Sequence, residues 1–75
     1  MINLKEFVTC SEVLDDSTFT TYKINGFTVY TETNHDEKEK ACLSIFDRDK
    51  NLLICAYGKE TDIRKEINRV VSLWL

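Results

Sequence analysis

The sequence predicts an α+β domain of element order α-β-β-β-β-α: a four-stranded antiparallel meander with two helices packed on one face. Three observations carry this expectation. An Asn25-Gly26 pair sits between runs rich in β-branched and aromatic residues. Apolar residues recur at helical spacing near both ends of the chain. The strand-like runs are joined by short connections, which favours sequential antiparallel neighbours.

The first element is read from "INLKEF", where Asn3 is placed to cap a helix and Glu6 follows three residues later, as in a capping box. Ile2 and Phe7 occupy the two positions of a hydrophobic staple. Leu4, Phe7, Val8 and Leu14 share a helical face, which Ser11 interrupts and Cys10 and Val13 widen. These residues predict a helix over about residues 3–14, ended by the "DDST" of residues 15–18.

The second element is a hairpin. Both residues of a two-residue turn need positive φ, and Asn-Gly supplies that at least cost. A turn at Asn25-Gly26 sets the register: Ile24 opposite Phe27, Tyr22 opposite Val29, Thr20 opposite Thr31. Those residues form a core-like face. Lys23, Thr28, Thr21, Tyr30, Phe19 and Glu32 form the other, polar except for its two aromatics.

After the charged loop "NHDEKEK" (residues 34–40), "ACLSIFDRDKNLLICAYG" reads as a second hairpin turning over Asp47 to Asn51. With Asp47 opposite Asn51, Ile45 faces Leu53 and Leu43 faces Cys55. Phe46 and Leu52 face each other on the other side, beside Ser44 and Ile54. Both sides are apolar, as in an interior strand pair or a sheet whose second face meets a partner. The last element is a helix in which Ile63, Ile67, Val70, Val71 and Trp74 form one stripe, with Thr61 placed to cap it. Glu60 and Asp62 near its start, with Arg64, Lys65 and Arg69 later, suit the helix dipole.

The whole chain, residues 1–75, reads as a single domain, 43% hydrophobic and 31% charged, with no proline and two glycines to mark a linker. Net charge is −3, with ten basic residues interspersed among thirteen acids, which argues against nucleic acid or an anionic membrane as partner. No signal peptide or membrane span is legible. Cys10, Cys42 and Cys55 lack the spacing of a zinc site and read as small core hydrophobes in a reducing cytoplasm.

Catalytic and cofactor chemistry finds little support. Asp47, Asp49 and Asn51 match the opening of a calcium loop, but Leu52 and Gly58 stand where it needs glycine and a bidentate glutamate. A polar turn is the better reading. His35, the only histidine, neighbours Asp36 and precedes Cys42 by a charged loop, and nothing in the sequence fixes its ring. Adjacent acid pairs such as Asp15-Asp16 cannot flank a substrate. Gly26 and Gly58 stand alone, so there is no phosphate loop. The expectation is no catalytic residue, no metal and no cofactor.

What remains is contact surface. Phe19, Tyr30, Phe46, Leu52 and Ile54 fall on strand faces that two helices would leave bare, and Leu73 and Leu75 lie off the helix stripe. These seven are the expected protein-interface residues. In size, charge and lack of a site the chain is similar to small acidic proteins of phages and mobile elements that bind and block one host protein. That resemblance implies a non-enzymatic inhibitor or immunity-type protein acting by stoichiometric binding. The alternative is a homodimer that sequesters a nucleotide or other metabolite, with Lys23, Arg48 or Arg64 meeting the anion.

Overall fold

The computed structural model describes residues 4–74. A single 3-10 turn, Leu4–Phe7, leads into strands β1 (Val8–Leu14), β2 (Ser17–Ile24), β3 (Phe27–Asn34), β4 (Ala41–Phe46) and β5 (Leu52–Gly58), followed by helix α1 (Glu60–Trp74). The strands form one antiparallel sheet in the order β1-β2-β3-β4-β5. The α+β class and the meander stand. The sheet has five strands rather than four, and one helix rather than two covers it.

The difference lies in residues 8–14, expected as helix and found as β1. Val8, Thr9 and Val13 are β-branched, and Cys10, Ser11 and Thr9 are weak helix formers. The apolar residues that fit a helical stripe also fit a strand once Asp15-Asp16 serves as a two-residue turn. Asp15 adopts φ 55°, a left-handed conformation that aspartate tolerates. Leu14 then pairs with Ser17, and β1 runs back along β2 with a bulge between Val8 and Cys10. Only the Leu4–Phe7 end of the expected helix is helical. The proposed cap and staple residues Asn3 and Ile2 lie outside the described residues.

The Asn25-Gly26 turn forms as read, with φ of 51° and 87°, and every expected pair of that hairpin is present. The second hairpin also turns over Asp47–Asn51: the Asp47 N–H donates to the Asn51 carbonyl at 3.0 Å and the Lys50 N–H to the Asp47 carbonyl at 3.1 Å. Phe46 pairs with Leu52 as expected, but Ile45 then pairs with Ile54. Leu53 is an extra residue on β5, a bulge that reverses the side-chain alternation beyond it. Leu43 therefore meets Ala56, and Ser44 meets Cys55. Ile54 and Ala56 turn toward the helix, and Cys55 and Tyr57 turn away from it.

The core lies between α1 and one face of the sheet. Ile24, Val29, Ala41, Leu43 and Ile45 meet Ile63, Ile67, Val70 and Val71, all buried. Each large aliphatic side chain removed from water contributes about 1.5–3 kcal/mol. Leu4 and Phe7 of the 3-10 turn, Tyr22, Ile54 and Ala56 pack around its margin. The helix rests on β4 and β5, and the 3-10 turn on β2. No residue of β1 is buried. At the start of α1 the Glu60 N–H is satisfied by the Lys38 carbonyl at 2.8 Å, and the Lys59 carbonyl accepts from Ile63. Thr61 thus lies inside the first turn and is not the cap expected of it.

Candidate functional site: the uncovered face of the sheet

Cross-strand partners share a face, so beyond an outermost row of Leu14, Ser17 and Asn34 the registers define three rows on the side away from α1. Glu12, Phe19, Glu32, Cys42 and Tyr57 form the first. Cys10, Thr21, Tyr30, Ser44 and Cys55 form the second. Lys23, Thr28, Phe46 and Leu52 form the third. No helix or loop of the described chain covers these rows.

The face is aromatic in its middle. The Tyr30 and Phe46 rings meet edge to face, with centroids 5.6 Å apart and planes at 80°. Such a pair holds both rings in place and adds about 0.5–1.5 kcal/mol beyond the area it buries. Phe19, Tyr30 and Leu52 remain substantially exposed, and Tyr57 is 79% exposed. A shallow hollow of about 180 Å³ lies between Phe19, Tyr30, Glu32 and Cys42. A second, of about 260 Å³, lies between Lys23, Thr28, Tyr30, Phe46 and Lys50. The Lys23 ammonium donates to the Thr28 hydroxyl at 2.5 Å, which ties its stem down along the sheet.

All three cysteines lie on this face and all are free thiols. This corrects their reading as core residues: Cys10 and Cys55 are exposed and Cys42 is half-buried. Burial pushes the Cys42 thiol up, and neighbouring Glu32 and then Cys55 push it the same way. These causes favour the thiol over the thiolate, which is the nucleophilic form.

Of the expected interface residues, the fold brings Phe19, Tyr30, Phe46 and Leu52 together on the open face. The bulge at Leu53 removes Ile54, whose side chain packs against the core instead. Leu73 is 75% exposed but sits on α1, away from the sheet. Leu75 lies outside the described residues. Tyr57 was missed. Its place on the face depends on the bulge: the register counted from Asp47 opposite Asn51 puts Tyr57 on the core side with Cys55, and Leu53 reverses it. The cysteines were missed because thiols usually follow the core.

The polar candidates are engaged locally. The Asp47 carboxylate accepts the N–H groups of Asp49 and Asn51 at 2.8 and 2.9 Å and the Asn51 side-chain amide at 3.2 Å. The Asn51 backbone N–H is the main cause of an Asp47 pKa below the usual carboxylate range. His35 Nε2 lies 2.5 Å from the Thr18 hydroxyl, and the His35 backbone N–H donates to the Asp16 carbonyl at 2.7 Å. Among the described residues no group of three or more His, Cys, Asp or Glu is placed to hold a metal ion. Lys23, Arg48 and Arg64 do not converge. Lys23 lies on the open face, Arg64 pairs with Glu60 at 2.8 Å on the helix, and Arg48 folds over the first hairpin turn. There Arg48 Nη2 and Nε donate to the Asn25 carbonyl at 3.0 and 3.2 Å, and its guanidinium stands 5.9 Å from the centre of the Phe27 ring. The clamp joins the two hairpin turns at one end of the sheet.

No helix of the described residues is long and apolar enough to cross a membrane. No family model, curated protein or solved structure matches the chain.

Proposed function

We propose that the chain is a small non-enzymatic protein-interaction domain that works by stoichiometric binding, in the manner of the inhibitor and immunity-type proteins of phages and mobile elements. Its contact surface is the open face of the sheet. The observation that carries this reading is the composition of that face: Phe19, Tyr30, Phe46, Leu52 and Tyr57 with three thiols, against Glu12, Glu32 and Lys23 as charged residues in its strand rows and Lys50 at its edge. Aromatic enrichment with few charges is the signature of an interface centre rather than of ordinary surface.

Enzymatic readings gain nothing from the geometry. Burial raises the pKa of the half-buried Cys42 thiol, and the histidine is tied to a threonine at the margin of the sheet. Three unpaired thiols suit a reducing compartment such as the cytoplasm. The test is capture by immobilised wild-type chain and by Tyr30→Asp, with Leu73→Asp as a helix-side control. A partner retained by wild type and Leu73→Asp but lost from Tyr30→Asp supports the reading. A partner held equally by all three refutes the open face as the contact surface.

A further inference from the structure

We propose that a second copy of this chain covers the open face, in a two-fold, face-to-face dimer. The inference rests on the reading of that face as a contact surface and names the molecule it contacts. Three observations converge on it.

The first is charge. One end of the face carries Glu12 and Glu32, and the other carries Lys23 and Lys50. Among the described residues none of these four takes part in a salt bridge within the chain. Asp47 shares a turn with Lys50, but its carboxylate is taken up by backbone N–H groups. A face with unlike ends is self-complementary under one kind of two-fold axis, lying in the contact plane and running across the strands. That operation lays the Glu12/Glu32 end of each copy over the Lys23/Lys50 end of the other and brings Tyr30 near the axis. The axis along the strands would set like charges together, a costly arrangement.

The second is area. Five strands at about 4.8 Å and seven residues at about 3.3 Å make a patch of roughly 24 by 23 Å. Two such patches in contact remove roughly 1,100 Å² before side-chain relief is counted, close to the lower bound for a specific interface. The third is the thiols. Free cysteine is among the most consistently buried residue types, yet all three here lie on the one uncovered face. Sheet-on-sheet packing returns them to an interior.

The test is sedimentation equilibrium of the full chain from about 5 μM to 1 mM, the range expected for a small interface. Lys23 and Glu32 lie two rows apart on adjacent strands, about 14 Å, beyond reach of one another within a chain. Lys23→Glu alone and Glu32→Lys alone each set like charges together twice in the dimer and should weaken it at least about ten-fold. The combined Lys23→Glu/Glu32→Lys chain restores the pairs across the axis and should recover dimerisation. Circular dichroism checks that each variant is folded. Dimerisation with loss in the single reversals and recovery in the double establishes the inference. A monomer throughout the range overturns it, as does a dimer indifferent to the reversals. In either case capture by wild type but not by Tyr30→Asp would still uphold the open face as a surface for another protein. Failure of both experiments removes the face itself.

Discussion

Leu43 and Cys42 are neighbours on β4, and substituting each by alanine separates the two faces of the sheet. Leu43 is 0% exposed, set between Thr31 and Ala56 beneath α1. Cys42 lies on the opposite side between Glu32 and Tyr57. A 75-residue chain is expected to be stable by about 4–11 kcal/mol. Leu43→Ala removes buried methyl groups and leaves a cavity that a one-helix core fills poorly, at a cost of about 3 kcal/mol. With a urea dependence of about 1 kcal/mol per molar, the unfolding midpoint should fall by about 3 M, or the chain should be partly unfolded without denaturant. Cys42→Ala should change stability by less than about 1 kcal/mol. Urea titration followed by circular dichroism at low micromolar concentration measures both. Equal losses from the two substitutions would refute the assignment of one face to the core and the other to the surface.

Other substitutions test the turns. Gly26→Ala should destabilise by about 1–2 kcal/mol, because φ is 87° and the added Cβ would meet the Arg48 side chain, displacing the clamp; urea midpoints measure this. Lys50→Gly should raise the thermal midpoint, because Lys50 sits at φ 67° and glycine adopts that conformation without strain worth about 1 kcal/mol. Asp47 has a folded pKa below its unfolded value, so the unfolded state binds the proton more readily. Its contribution is present above the unfolded value near pH 4 and is lost as pH falls through the folded one. Asp47→Asn should therefore flatten the acid limb of the stability profile below about pH 4 while leaving its shape at neutral pH unchanged.

Local chemistry made one hairpin legible in full. Asn25-Gly26 specifies a turn of one length and twist, and the turn then dictates every pair from Ile24–Phe27 to Ser17–Asn34. The helix stripe of Ile63, Ile67, Val70 and Val71 was legible for the same reason, since its period matches only one structure. Residues 8–14 were not. Seven residues with apolar positions at both spacings are ambiguous, and pairing with β2 decided the outcome against the helical reading. The site was legible in part. Phe19 and Tyr30 follow from the first hairpin, and Phe46 and Leu52 from the start of the second. Ile54, Cys55 and Tyr57 depend on one unpaired residue, Leu53, which reversed their sides. Absence of the first helix also left more of the sheet bare than expected, including all of β1.

Cys10, Cys42 and Cys55 are native reporters on the face to which contact is assigned, and their labelling rates with a maleimide can be followed by mass spectrometry. With the face occupied, by a second copy at high concentration or by a captured partner, all three should label more slowly together, while free chain at low concentration labels Cys10 and Cys55 rapidly. Unchanged rates at all three thiols in a demonstrated complex would contradict the account, because that complex would have formed elsewhere on the molecule.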